Sequence, residues 1–324
     1  LLVAQVNRFG PPEVLTPTQA PDPVAGEGQT VIDVAVADIL FIETQVRNGW
    51  GREFFSVEPP YVPGDGVAGH VRAVGPGVDP AWVGRRVAAH AGGYGGYAEQ
   101  VVVPVEALIP VPDGLELPQA AALLNDGTTA LTVFEAAEVT KDDQVLITAA
   151  AGGLGSLLVQ LSHAAGARTI AAARGERKLA TAHERGADVL ADYSDPDWTT
   201  RVREATGGRG VDVVFDGVGG AVGRAAFELT APGARFSAHG APSGSFTDVD
   251  TRAAQERGVR LRGIQDVQRS AEDRRRLATQ AVEAAARGEL RPLIGRTFPL
   301  AQAAAAHRAL EAREVIGKAL LLLP

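Results

Sequence analysis

The chain of 324 residues contains no cysteine. That absence removes disulfides, thiolate nucleophiles and every Cys-based metal site at once, so redox chemistry would need a bound cofactor. A basic excess is missing too. Lys and Arg number 31 against 39 Asp and Glu, for a net charge of −8, and the arginines are scattered among acids. No face is offered to phosphate backbones or anionic lipid, and nucleic acid is not an expected partner. Uninterrupted apolar runs such as Ala319 to Leu323 fall far short of the roughly 20 residues that span a bilayer, so no membrane partner is expected. The run Leu1 to Val6 reads as a strand, without a basic leader or a cleavage site, and a cytoplasmic location is the expectation. Methionine is also absent, for which no physical reason is apparent. The length fits two domains better than one, with enough apolar content to build both cores.

The texture of the chain changes along its length. From Leu1 to about Leu117 short β-type runs, such as Thr30 to Val36 and Val67 to Val74, are broken by Gly and Pro clusters, the pattern of a β-rich domain. From about Gln144 strands alternate with amphipathic helices, which predicts a parallel sheet covered on both faces. The expected strands are Val145 to Ala149, Thr169 to Ala173, Val189 to Asp192, Val211 to Asp216, Ala234 to His239 and Val259 to Ile264. A helix from Gly155 to Ala165 follows the first, and a long helix from about Glu272 to Arg287 follows the last. The fold class is therefore α/β, with residues 1–122 as a β-rich domain, 123–265 as a doubly wound domain and 266–324 as a segment returning to the first.

The stretch Val145 to Gly155 runs from a strand into a Gly-rich turn that opens a helix. Unpaired N–H groups and the helix dipole make such a start a seat for a pyrophosphate, if the backbone can come close. The seat is Ala151, Gly152, Gly153, Leu154 and Gly155. Ala150 stands where the GxGxxG pattern has its first Gly, so the turn alone is weak evidence; on the first of six strand–helix units it becomes strong. An enzyme using NAD places an acid at the end of the second strand for the ribose 2′-OH. Here that strand ends in Arg174, with Lys178 one turn into the next helix, a pair suited to the 2′-phosphate of NADPH.

Several segments now resemble a known family. They are Phe41 to Gly49, Pro60 to Gly69, Gly95 to Glu99, Gly127 to Ala130, the Ala150 to Gly155 loop, Asp216 to Gly219, and Gly317-Lys318. Over essentially its full length the chain resembles the zinc-independent quinone oxidoreductase branch of the medium-chain dehydrogenase/reductase superfamily. The resemblance implies a GroES-like domain, a Rossmann domain, a cleft between them for substrate, and a homodimer. It implies Lys178 and Tyr193 near the adenosine phosphate and Thr129 beside the nicotinamide. It extends the cofactor set to Gly217, His239, Gly240 and Lys318. Dimer pairing is expected through an exposed strand at Arg235 to Ala238.

The pocket residues expected on this reading are Leu40, Gln45, Trp50, Tyr61, Tyr94, Asn125 and Asp126, with His239 as a candidate proton donor. Two departures bear on the substrate. Leu40 stands where the family often has Asn, and Trp50-Gly51 replaces a frequent Tyr. The zinc relatives' Gly-His-Glu segment is here Pro63-Gly64-Asp65-Gly66, so no metal is expected; a site from His70, His90 and Asp65 is disfavoured because no periodicity joins them. The leading expectation is hydride transfer from NADPH to a quinone or enone. An enoyl or alkenal reductase and a non-catalytic NADPH-binding protein are the alternatives.

Overall fold

In the computed structural model, which describes all 324 residues, the chain forms two compact units, residues 1–127 with 275–324, and residues 128–274. Sequence texture alone sets the breaks at 122 and 265. The first of these falls inside a helix that local propensity does not predict, Leu117–Ala137. Its middle carries Gly127, Thr128, Thr129 and Thr132, all poor helix formers. Tertiary packing carries the helix instead: a Cβ on Gly127 would stand 2.7 Å from the Ala281 Cβ, and Ala120, Ala121 and Leu124 are buried.

Residues 128–274 hold a six-stranded sheet in which every pairing is parallel. Across the sheet the strands run Val189–Asp192, Arg168–Ala173, Gln144–Thr148, Val211–Asp216, Thr230–Ala238 and Arg260–Gly263. This is the doubly wound order, with the chain reversing direction across the sheet beside Gln144–Thr148, where such sheets bind ligands. All six expected strands are present, with ends moved by a few residues at most. Ala149 has left the first one, at φ 52°. One expectation is corrected. Arg235 to Ala238 is not a sheet edge: its strand is paired on both sides and Phe236 is buried. The sixth strand covers it, so the free edges are Val189–Asp192 and Arg260–Gly263.

In the other unit the long strand Gln29–Ile39 is the organising element. It pairs antiparallel with Gly66–Val74, Gln100–Pro104 and Lys318–Leu322, so the C-terminal tail does rejoin this sheet. Arg86–His90 pairs on the far side of Gly66–Val74. Strand alternation splits the side chains between two cores. Ala37, Ile39, Val67, Val87 and Ala89 enter one. Val36, Ala68, Ala88 and Leu320 face Ala120, Leu124, Ala278 and Val282 in the other. No helix of the protein is long and apolar enough to cross a membrane.

Candidate active site

In residues 128–274, the turn after Gln144–Thr148 is built for close approach. A Cβ on Gly155 would stand 2.3 Å from the Ala149 carbonyl oxygen, so any larger residue there would push the helix off the strand. The helix Gly153–Ala164 begins at Gly152, and no side chain caps its first turn. Its leading amides are left for an anion. Beside this turn Asp216 is fully buried and organises the next loop. It accepts hydrogen bonds from Thr148 Oγ1 at 2.8 Å, Val218 N at 3.1 Å, Gly219 N at 3.2 Å and from Thr247 Oγ1. Gly217 N in turn donates to Thr148 Oγ1 at 2.9 Å. His239 closes over Gly217, its Nε2 3.4 Å from where a Cβ would be. Its ring keeps some exposed area but is crowded by protein atoms, and desolvation pulls its pKa down to about 4. Near neutral pH it is an uncharged imidazole, which weakens its candidacy as a proton donor.

At the end of the second strand Arg174 is exposed, as a phosphate-binding cation needs to be. The sequence places one acid close by, Glu176, two residues past Arg174, and the structure adds another. Asp192, ending the neighbouring strand, accepts from Gly175 N at 3.0 Å and from Ser194. Hydrogen bonds from Ser194 and Gly175, with Arg174 nearby, outweigh its burial and hold this carboxyl below its usual range. Lys178 lies in the first turn of the following helix, and Tyr193 packs half-buried against the Rossmann core. A groove of about 880 Å³ opens beside Asp192, floored by Leu179, Leu190 and Trp198. It is lined by the carboxylates of Glu176, Asp195, Asp197 and Glu204 together with the guanidinium of Arg201.

The expected pocket residues lie in the other unit, around a buried polar cluster. Lys318 Nζ is 2.7 Å from Asp38 Oδ1 and 3.3 Å from Asp126 Oδ1. Asn125 Nδ2 donates to Asp38 Oδ2 at 3.3 Å. Burial pushes Asp38 up to about 7 against the pull of Lys318. Burial opposes the Lys318 charge as well, but Asp126 and Asp38 together outweigh it and raise its pKa. Glu43, in the first turn of the helix Phe41–Arg47, reaches back to accept from Leu40 N at 2.9 Å. It also accepts from the Tyr97 hydroxyl at 2.6 Å. Desolvation lifts its carboxyl to about 8. His307 Nε2 lies 3.1 Å from the same hydroxyl; with that O–H given to Glu43, the ring must donate. Burial holds His307 down to about 3 and neutral. Gln45 sits on the same short helix. Tyr61 and Tyr94 pack edge to face with centroids 5.6 Å apart, and Trp50 tilts against Phe55 at 6.5 Å.

Two comparisons with known proteins decide the family. Residues 26–113 match the Alcohol dehydrogenase GroES-like domain, and residues 185–321 match the family described as Zinc-binding dehydrogenase. Over 99% of both chains the protein is 32% identical to a 2-haloacrylate reductase of Burkholderia sp. It is 31% identical to a quinone oxidoreductase of Pseudomonas aeruginosa over 98% of both. The chain belongs to the quinone oxidoreductase branch of the medium-chain dehydrogenase/reductase superfamily. It is thus an oxidoreductase. The crystal structure of Escherichia coli quinone oxidoreductase complexed with NADPH superposes with a TM-score of 0.91 at 26% identity, covering 99% of this chain and 100% of that one.

The name of one matched family raises the question of zinc, and the side chains of this medium-chain oxidoreductase do not fit it. No group of three or more His, Cys, Asp or Glu is placed to hold a metal. His70 is exposed on its strand. His90 and Asp65, however, do meet, with His90 Nδ1 2.8 Å from Asp65 Oδ2, which corrects the expectation that nothing joins them. The link is strand register: Gly66 pairs with His90, and Ala91 N donates to the Asp65 carbonyl at 2.6 Å at the end of the same ladder. Sequence spacing carries no trace of that contact. Sequence reasoning also assigns no role to Asp38, Glu43, Tyr97 and His307; Asp38 and His307 show only as polar residues inside apolar runs, and Glu43 and Tyr97 only as members of the segments that carry the resemblance.

Proposed function

We propose that the protein passes hydride from NADPH to a quinone or to an electron-poor alkene. The observation that carries the cofactor half is the strand–turn–helix seat at Ala151 to Gly155, with its uncapped amides and its exclusion of any Cβ at Gly155. Arg174 and Lys178 would take the 2′-phosphate, and Gly217, His239 and Gly240 would border the nicotinamide end, with Thr129 beside it. NADPH, when bound, supplies the hydride. Lys318 is engaged by two carboxylates, so its part is to hold Asp38 and Asp126 in place rather than to grip phosphate.

The acceptor class follows from the chemistry of the product anion. Hydride addition to a simple ketone leaves an alkoxide whose conjugate acid is about as weak as water, near ~16, and needs a Lewis acid or strong donor. Addition to a quinone leaves a phenolate-like anion with pKa near ~10. The gap of about 6 units is roughly 8 kcal/mol, a large part of a catalytic barrier. The donor set here lacks a metal cage, which favours delocalised anions. The enoyl-reductase reading is kept as the second one, because a relative is a 2-haloacrylate reductase. We further propose a cytoplasmic homodimer pairing through the free edge Arg260–Gly263; a monomer by sedimentation at micromolar concentration would remove the dimer.

The test follows nicotinamide absorbance with NADPH and NADH against a panel of quinones, enones and saturated ketones. Turnover of the first two classes with NADPH, and none of the third, is expected. Arg174→Asp should lower kcat/KM with NADPH about 10- to 100-fold, a loss of about 1.4 to 2.7 kcal/mol, and leave NADH nearly unchanged. Equal losses with both cofactors would reject the phosphate site.

A further inference from the structure

We propose that the core of the β-rich unit binds one ordered water molecule between the helices Phe41–Arg47 and Ala303–Glu311, held by Glu43, Arg47, Tyr61 and His307.

The two helices are joined by polar rungs. Glu43 and Arg47 stand four residues apart on the first, and His307 and Glu311 four apart on the second, so each pair shares a helix face. One rung is the Arg47–Glu311 ion pair. The other runs through the Tyr97 hydroxyl, 2.6 Å from Glu43 Oε2 and 3.1 Å from His307 Nε2. Around these rungs four side-chain atoms are shielded from solvent and bonded to no protein group: Glu43 Oε1, Arg47 Nη1, Tyr61 Oη and His307 Nδ1. Electrostatics places Tyr61 and His307 in the same neighbourhood. Burial, then Tyr94 and Glu43, raise the pKa of the Tyr61 hydroxyl while Arg47 opposes them. The Arg47 charge also adds to the burial that depresses His307.

None of the four atoms can swing freely to meet another, because each residue is already held elsewhere. Arg47 Nε donates to the Gly10 carbonyl at 3.1 Å, and its Nη2 pairs with Glu311. Glu43 Oε2 accepts from Leu40 N and Tyr97, and His307 Nε2 is fixed by Tyr97. The Tyr61 backbone is bridged to Val6 in both directions, and its ring packs against Tyr94. Buried polar atoms are seldom left open. Each one left so lowers the folded-to-unfolded ratio by about 5- to 30-fold.

A partner for all four must be small and neutral. Arg47 is balanced by Glu311, His307 is uncharged, and Glu43, lifted by desolvation to about 8, keeps its proton at neutral pH. No net charge is left to hold an ion. Water matches the donors and acceptors. With Oε2 already accepting twice, the Glu43 proton lies on Oε1. The water then accepts from Glu43 and Arg47 and donates to His307 Nδ1 and the Tyr61 oxygen. When Glu43 ionises, the Tyr61 hydroxyl turns to donate and Glu43 accepts. Either state stays within the two to four bonds that buried waters make. The Tyr61 hydroxyl is thereby engaged inside the core, and only the ring remains to meet a ligand.

A high-resolution crystal structure of the full chain at neutral pH tests the site. A solvent peak about 2.7–3.2 Å from at least three of the four atoms is expected. Direct contacts among the four, or no peak, would overturn the proposal. Tyr61→Phe supplies a second measurement, because it removes the hydroxyl and keeps the ring. A hydroxyl bonded to water contributes to the fold, so its loss should raise the unfolding constant in urea about 3- to 10-fold. A hydroxyl buried without a partner predicts the reverse. Stability unchanged or increased in Tyr61→Phe would therefore also overturn the proposal.

Discussion

Asp216 and Asp38 are both fully buried carboxylates, one in each unit. Asp216 is surrounded by neutral donors, two hydroxyls and two backbone amides. Asp38 is set against a lysine that it shares with a second carboxylate. Apart from Asp38 Oδ1, which faces Lys318 Nζ, six buried side-chain atoms have no hydrogen-bond partner, and all but Ser162 Oγ lie in the Asp38 unit. The doubly wound unit therefore presents a cradle whose buried side chains are already satisfied, with only the amides of its Gly-rich turn left open. The other unit holds charges whose balance depends on each partner. Dipoles fixed in place are suited to a cofactor that always arrives in the same pose. Buried charges and open polar atoms are suited to a site that must move a proton.

The sharpest way to break this contrast is to damage the cradle alone. Gly155→Val would drive a side chain into the Ala149 carbonyl, which a Cβ would meet at 2.3 Å. NADPH affinity should fall at least about 100-fold, or about 2.7 kcal/mol, by fluorescence titration. Retained affinity would mean that the Gly-rich turn is not the seat. The other side of the contrast is tested, in stability rather than affinity, by unbalancing the charges. Lys318→Met leaves Asp38 and Asp126 facing each other without a cation, and removing one partner of a buried pair costs about 3–5 kcal/mol. The double change Asp38→Leu with Lys318→Met should recover most of that. Urea unfolding of the single and double variants measures the difference. A single variant as stable as the parent would show that the triad is solvated.

Much of the cofactor half is legible in the sequence, because its determinants are local. A strand, a Gly-rich turn and a helix start are consecutive in the chain, and the six-strand alternation repeats a pattern that periodicity detects. Asp192 is harder to find because its link to Gly175 crosses two strands. The β-rich unit is much less legible. Asp38 and Lys318 are far apart in sequence and meet only because Lys318–Leu322 pairs with Gln29–Ile39. His90 and Asp65 meet through a register that no spacing rule encodes. The helix Leu117–Ala137 escapes pattern reading because its central residues have poor propensity and tertiary packing overrides it.

The least conspicuous consequence of the contrast is in the pH dependence of stability. Glu43 binds its proton more tightly folded, at about 8, than at its ordinary 4.5. A raised carboxyl adds stability that is complete below about 4.5 and is lost as pH rises to about 8. Asp38, raised to about 7 from 3.8, behaves likewise but is spent by about pH 7. His307, depressed to about 3 from 6.5, works the other way, and its contribution is lost as pH falls below about 6.5. Between about pH 7 and 8 most of the remaining change among these three is that of Glu43. Its proton, mostly bound at pH 7 and half lost at pH 8, is worth about 1 kcal/mol over that unit, or about 2–4 °C for a unit of this size. Glu43→Gln keeps an oxygen to accept from Tyr97 and Leu40 but has no proton to lose. Melting curves at pH 7 and 8 should show the fall in the parent and its absence in the variant, and an undiminished fall in the variant would assign it to another group.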